Sequence, residues 1–517
     1  MTGKNILWID DEIDLLKMHI LFLKEKGHHT ETVSNARDAI EILKEKSFDI
    51  IFLDENMPGK SGLDVLPEIK YLRPAVPVVM ITKNEEESIM DEAIGDNIDD
   101  YLLKPVNPKQ IILSIKKHAE GKRIVNEKIR EKYQSTFREL SLKIGEMRTA
   151  DDWKEMYREL IFWEMEVERS NEAMLNEILQ NQMEEAGLAF SKFIKTNYQS
   201  WFNEKADERP LMITDFMKEK IKPLTDKGEK VAVIMIDNLR FDQWRMIRPL
   251  VETIMPVIKE EMWYTILPTT TQYARNSFFA GLMPSEIEKR FPQYWKHDHE
   301  EGSKNNFEKE LLQDFFERYR RKVNISYEKV LEYSYGLKVN ERFNQIIKND
   351  VSVVVYNFID MLSHARTDNK MVQELAFDLQ QYRNLTKAWF ENSPLWGFLQ
   401  KLSKAGIRTF ITSDHGSINI NNPIKVVGDK ETTTNLRYKS GRNLKYKKKE
   451  VFEITKPESI GLPTANISQS YIFAYNNDFF AYPNNYNYHV RYYKDTFQHG
   501  GISPAEMLVP VIELKND

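Results

Sequence analysis

The chain contains no cysteine. Disulfides and thiolate chemistry are therefore excluded, and any zinc must be held by histidine and carboxylate. No proline occurs between Pro108 and Pro210, although the 517 residues include 20. Nothing in that span breaks a long helix. No run approaches the roughly 20 apolar residues needed to cross a bilayer. The opening MTGKNILWIDDE has no long apolar region and no cleavage site. It predicts no secretory leader and a cytoplasmic location. Net charge is −6, which gives no overall reason to expect nucleic-acid or membrane binding. Internal repeats and low-complexity tracts are absent. What is there is ordinary globular composition, 41% hydrophobic and 29% charged. At roughly 150 residues per domain, three or more units are expected. The pattern predicts an α/β multidomain chain divided as 1–120, 121–207 and 208–517.

Over the first 120 residues, short apolar runs alternate with helical patterns. Residues 5–9, 49–53, 76–81 and 101–103 read as strands. Residues 15–26, 36–46, 62–71, 86–93 and 109–118 read as helices. Strands spaced this way predict a parallel, doubly wound sheet covered on both faces, with ligands at the strands' carboxyl ends. Asp10 and Asp11 follow the first strand, and Asp54 follows a later one. Thr82 and Lys104 end two more, and Lys104 precedes Pro105. One Asp in such a place is commonly a cap or turn residue. Five suitable residues at strand ends point to one site. Crowded carboxylates need a cation, and all-oxygen ligation suits Mg²⁺. Asp54 would attack a phosphoryl donor, Lys104 would pair with the phosphate, and Thr82 would hydrogen-bond it.

The stretches Asp10-Asp11-Glu12, Asp54-Glu55-Asn56-Met57-Pro58-Gly59, Thr82 and Lys104-Pro105 resemble the receiver domain of two-component response regulators. The resemblance implies a flavodoxin-like fold with Asp54 as phosphoacceptor. It implies Mg²⁺ held by Asp11, Asp54 and the Asn56 carbonyl, with Tyr101 at the aromatic switch position. It also implies pairing of two receivers through the face around residues 86–118.

The proline-free middle is rich in Glu, Lys, Arg, Leu, Met and Gln, all good helix formers. Apolar Trp153, Tyr157, Leu160, Ile161, Leu175, Ile178 and Leu179 recur at three-and-four spacing. This predicts a bundle of three or four helices, with breaks near 148–152, where Thr149 would cap the next helix, and near Gly187. Its expected role is to link a switch to an effector.

From about residue 208 the α/β pattern returns. The apolar runs 231–236, 351–359 and 408–412 lead into Asp237, Asp360 and Ser413-Asp414-His415. His499-Gly500-Gly501 precedes a last apolar run. Buried parallel strands look like this, and their carboxyl ends share one crevice. Asp360 and His364 are one helical turn apart and can face one point. Three carboxylates and three imidazoles can bind two divalent ions, which suits in-line phosphoryl displacement. The nucleophile is expected in Leu267-Pro268-Thr269-Thr270-Thr271-Gln272, where a hydroxyl would sit at a helix N-terminus. Spacing alone leaves the three threonines equivalent.

The stretches Ile236-Asp237-Asn238-Leu239-Arg240-Phe241-Asp242, Leu267–Gln272, Asp360-Met361-Leu362-Ser363-His364, Asp414-His415-Gly416 and His499-Gly500-Gly501 resemble the PglZ branch of the alkaline phosphatase superfamily. The resemblance covers about 208–517 and implies an alkaline-phosphatase-like α/β domain. In that superfamily the nucleophile lies three residues after such a proline, which implies Thr271. It implies one zinc on Asp360, His364 and His499, and a second on Asp237, Asp414 and His415 with Thr271. Members using Thr and two metals imply phosphodiester rather than monoester cleavage. Arg275 is then expected to clamp a non-bridging oxygen.

A basic stretch follows, with Lys425, Lys430, Arg437, Lys439, Arg442, Lys445, Lys447, Lys448 and Lys449 around Tyr438 and Tyr446. As a cationic lip with stacking surfaces it would suit a nucleotide or oligonucleotide. A solvated loop is the plainer expectation. The aromatic stretch 482–493, with His489 and Arg491, would line the same cleft or form a packed hairpin. The order of receiver, helical middle and effector resembles regulators of the type IX secretion system of Bacteroidetes. That implies a sensor histidine kinase, a phosphorylation-promoted homodimer, and a sigma factor or secretion-motor component as partners. The rival expectation is a non-catalytic adaptor whose metal site is structural. No recognisable DNA-binding motif is present.

Overall fold

The computed structural model of the chain describes residues 3–83, 98–119, 121–170, 172–203, 209–429, 432–465 and 468–516. The chain forms two compact units: residues 1–135 with 169–172, and residues 136–168 with 173–517.

In the first unit, strands β1 (Asn5–Ile9), β2 (His29–Val33), β3 (Ile50–Asp54), β4 (Val78–Thr82) and β5 (Asp100–Leu103) make one parallel sheet in the order β2-β1-β3-β4-β5. Alternate residues of β1 and β3 feed two cores. Leu7, Ile9, Ile51 and Leu53 pack on one face, Ile6, Trp8, Ile50 and Phe52 on the other. That two-sided burial explains why these strands read as unbroken apolar runs. β2 was not among the expected strands. Its sequence HTETV is polar and only partly buried, because it is an edge. Helices Lys17–Glu25, Ala36–Glu45, Gly62–Leu72 and Pro108–His118 cover the sheet. Ser61 with Asp64, and Asn107 with Gln110, form capping boxes that fix two helix starts. The helix expected over 86–93 lies outside the described residues.

Beyond His118, the described residues of the proline-free stretch form three long helices, Gly121–Glu146, Ala150–Ser170 and Ala173–Asn197. Thr149 starts the second: its Oγ1 accepts from the Asp152 N–H at 3.1 Å, and Asp152 accepts from the Thr149 N–H at 2.8 Å. The break expected near Gly187 is absent, and the third helix runs through it. A Cβ there would lie 2.0 Å from Asn476 Oδ1, so the glycine serves close packing rather than a turn. Within the second unit the second helix is bonded to the effector. Arg158 Nη1 lies 2.7 Å from Glu260 Oε1, and the Tyr264 hydroxyl donates to the Ala150 carbonyl at 2.9 Å. Buried Arg383 pairs with Glu164 and Asp242, both at 2.8 Å, and with Glu168.

The effector is built on strands β6 (Val231–Ile236), β7 (Val257–Tyr264), β8 (Ile325–Val330), β9 (Val351–Tyr356) and β10 (Arg408–Thr412). Seven short strands follow: β11 (Ile418–Ile420), β12 (Asn422–Lys425), β13 (Tyr438–Gly441), β14 (Phe452–Ile454), β15 (Ser470–Phe473), β16 (Asp478–Ala481) and β17 (Thr496–Gln498). β18 (Leu508–Leu514) completes a mixed sheet in the order β7-β18-β10-β6-β9-β8. β10, β6, β9 and β8 are parallel, and β18 runs antiparallel to β10 and β7. Every residue of β6 and β9 is buried. Among the described residues no helix is long and apolar enough to cross a membrane.

Candidate metal centre and acidic receiver site

In the first unit the ends of β1 and β3 bring Asp10, Asp11 and Asp54 close enough to share a cation. The donors are all carboxylate oxygens, a type of ligand that suits Mg²⁺. Lys104 Nζ lies 2.9 Å from Asp54 Oδ1 and 3.0 Å from Asp10 Oδ2. Burial, with Asp10 and Asp11 nearby, pushes the Asp54 pKa up to about 6 against the pull of Lys104. Thr82 Oγ1 donates to Glu55, a partner the sequence did not suggest. Asn56 is exposed in the loop after β3, and Tyr101 is 40% exposed on β5. Of the expected pairing face, residues 86–97 are not described.

In the second unit three loops and one helix start converge. β6 delivers Asp237 and β10 delivers Asp414 and His415. β9 stops at Tyr356, three residues short of the expected run, and Asp360 and His364 ride on helix Phe358–Asp368. His499 follows β17, a short strand outside the main sheet. Two groups of donors result: Asp360, His364 and His499, and Asp237, Asp414 and His415. In the first, Asp360 Oδ2 lies 3.5 Å from His364 Nε2, and Oδ1 lies 3.5 Å from His499 Nε2. The His364 side chain is 60% exposed, so this group opens to solvent. In the second, His415 Nε2 lies 3.6 Å from Asp237 Oδ1 and 3.9 Å from Asp414 Oδ2, all fully buried. The His415 and His499 rings stack with centroids 4.3 Å apart, joining the groups.

Thr271 begins helix Thr271–Ala280. Its Oγ1 is 3.1 Å from His415 Nε2 and 3.4 Å from Asp237 Oδ1. Thr269 instead bonds the backbone of Gly500 and Gly501. Thr270 Oγ1 is buried without a hydrogen-bond partner. Geometry thus separates three residues that spacing could not.

The electrostatics fit a cation. Burial raises the Asp237 pKa well above the usual range, with Asp414 and Asp360 adding to it against Arg275. Burial likewise raises Asp414, whose Oδ2 has no hydrogen-bond partner. Burial also raises the Asp360 pKa, but His364 and His499 outweigh it and hold the carboxylate low. Burial and the neighbouring His415 lower His499 to about 3, which leaves its imidazole neutral and able to ligate. Carboxylate and imidazole donors with an orphaned buried oxygen suit zinc.

The expected substrate contacts fare differently. Arg275 is not a clamp. It is 1% exposed and spent on Asp237 at 3.1 Å and Glu308 at 3.0 Å. Lys439 is not on a lip: it is buried in β13, its Nζ donates to the Thr433 carbonyl at 2.8 Å, and it lies over the Tyr482 ring. Burial lowers its pKa to about 7. Arg437 is equally buried, on Glu506. Arg442 is exposed and lines a cavity of about 180 Å³ with Tyr273, His297, Asp298 and Tyr471. Lys430 lies outside the described residues. The aromatic stretch is neither hairpin nor strand but helix Tyr486–Tyr493, where His489 stacks on Tyr493. Two site residues escaped the sequence. Asn357, whose Nδ2 donates to Asp237 Oδ2 at 2.7 Å, directly follows β9 and obeys the strand-end rule. Glu308 lies on helix Glu308–Arg318 and carries no such signal.

These features define a response regulator with a phosphatase-like effector. Residues 6–116 match the response regulator receiver domain, and residues 123–202 match the PorX response regulator linker domain. Residues 216–514, more than half the chain, match the BREX system PglZ alkaline phosphatase-like domain, and the chain belongs to that family. It is 31% identical over 111 residues to the transcriptional regulatory protein ResD of Bacillus subtilis, covering 22% of this chain and 46% of the relative. It is 30% identical over 118 residues to the phosphate regulon transcriptional regulatory protein PhoB of Pseudomonas aeruginosa, covering 22% and 52%. The chain thus spans about half the length of these curated relatives. A CheY-like receiver domain protein from Methanospirillum hungatei is 24% identical, covers 23% of this chain and 96% of its own, and gives a TM-score of 0.23.

Proposed function

We propose that the chain is a phosphorylation-controlled, two-zinc phosphodiesterase acting on nucleotide or oligonucleotide phosphodiesters and regulating type IX secretion. The observation that carries the reading is Thr271: its hydroxyl meets Asp237 and His415, two of the three donors of one group, at a helix N-terminus. Two divalent ions, when bound, polarise a phosphoryl oxygen and ease deprotonation of a hydroxyl. Asp237, Asp414 and His415 would hold the ion beside Thr271, and Asp360, His364 and His499 would hold the other. Thr271 Oγ1 forms a bond to phosphorus as the bond to the leaving alkoxide breaks. Water then cleaves the threonine phosphoester and releases the second product. Backbone N–H groups of the helix start can bind the phosphoryl oxygens. A threonine nucleophile with two ions favours a diester, and the exposed cations Arg442 and Lys445 would suit an anionic nucleotide or oligonucleotide. A sensor histidine kinase would phosphorylate Asp54 with Mg²⁺ held by Asp11, Asp54 and the Asn56 carbonyl beside Asp10, and the receivers would then pair.

The test is hydrolysis of bis- and mono-(p-nitrophenyl) phosphate with and without added Zn²⁺. Thr271→Val should lose diesterase turnover by about 10³-fold or more while keeping its zinc. Unchanged turnover would sink the nucleophile. No hydrolysis of either ester by the parent would favour the adaptor reading and its protein partners. Sizing with and without a phosphoryl mimic tests the switch, and a monomer in both refutes the dimer.

A further inference from the structure

We propose that Arg275 is a positioning residue, which grips Asp237 from behind and leaves its other oxygen toward Thr271 and His415. The inference rests on the two-metal reading.

Asp237 divides its oxygens. Oδ2 is gripped from behind by Arg275 Nη1 at 3.1 Å and Asn357 Nδ2 at 2.7 Å. Oδ1 is left to face Thr271 and His415 at 3.4 and 3.6 Å. Asp414 is divided by the backbone rather than by Arg275. Its Oδ1 accepts the N–H groups of Asn238 at 3.4 Å and His415 at 3.1 Å. Its Oδ2 has no hydrogen bond and faces Arg275 Nε at 3.8 Å and His415 Nε2 at 3.9 Å. The guanidinium is itself anchored by Glu308 Oε1 at 3.0 Å, and Glu308 by Lys329 at 3.2 Å. Arg275, Asp237, Asp414 and Glu308 are at most 2% exposed, so neither water nor substrate reaches this side. The planar guanidinium sends Nη1 to Asp237 and Nε to Glu308 in fixed directions, which a compact ammonium does not impose.

The experiment uses the full chain as Arg275→Gln and Arg275→Lys. It measures melting of the metal-free protein, visible absorption on Co²⁺ titration, and bis-(p-nitrophenyl) phosphate kinetics. Arg275→Gln should melt lower without metal and alter the Co²⁺ spectrum of one site only. Its kcat should fall about 100-fold with KM within about threefold, as expected of misplaced groups. Arg275→Lys should restore part of each. Adding Asp237→Asn to Arg275→Gln should recover some of the lost metal-free stability, because the uncompensated carboxylate is gone. A parental spectrum and melting point with a raised KM would overturn the proposal in favour of a substrate clamp. If Arg275→Gln does not fold, Glu308→Gln, which removes only the anchor, must give the same one-site spectral change. A parent that takes up fewer than two ions sinks the two-metal reading, and the metal-free melting still decides the role of Arg275.

Discussion

Glu168→Gln should stabilise the second unit at alkaline pH and not in acid. Glu164, Glu168 and Asp242 share Arg383, and Asp242 also takes Arg240. Three carboxylates thus face two guanidiniums, and one negative charge is in excess. Glu168 carries it. Burial, then Glu164 and Asp242 against the pull of Arg383, pushes its pKa from 4.5 to about 7. Its side chain is 16% exposed, so solvent screens it little. A carboxyl raised in the fold binds protons more tightly there than in the unfolded chain. Stability is therefore full below about pH 4.5 and is lost as pH rises through about 7. The shift of about 2.5 units corresponds to about 3 kcal/mol. For a unit of about 380 residues at about 2.1 cal/mol/K per residue, that is about 4 °C. The assay is thermal denaturation of chelated parent and variant from pH 5 to 8.5. The Gln variant should melt about 4 °C above the parent at pH 8.5, and the gap should close toward pH 5. A gap independent of pH, or a variant that melts lower at pH 8.5, refutes the charge count.

Gly416→Ala should cost more than about 3 kcal/mol and weaken metal uptake, read by denaturation and zinc content. A Cβ there would lie 2.0 Å from the Ala505 carbonyl oxygen, and backbone cannot step aside beside His415. Asp54→Asn should abolish phosphoryl incorporation from acetyl phosphate, read by intact mass. Since the Asp54 pKa is raised to about 6, the same change should stabilise the first unit above that pH and not well below it.

The strand-end residues were readable because each follows a local signal, an apolar run of strand length. Asp54, Asp237 and Asp414 sit where that signal places them. The same rule overran at β9, because Phe358 and Ile359 are as apolar as the strand but open a helix. It missed β2, whose edge position leaves no apolar run. The basic stretch misled for a related reason. Arg437 and Lys439 flank Tyr438 at the start of a buried strand, so their charges point into protein rather than water.

Sequence alone determined the buried strands that lead into Asp54, Asp237 and Asp414, the two acidic clusters and the presence of a threonine at a helix start, since apolar runs and strand ends are local properties of the chain. Tertiary structure alone decided which threonine meets His415. It alone turned Arg275 inward to Glu308, 33 residues on, and set Arg383 on Glu164 and Glu168, 219 and 215 residues away. A charge buried in the fold must find its partner wherever the packing puts one, and no nearby residue records where that is.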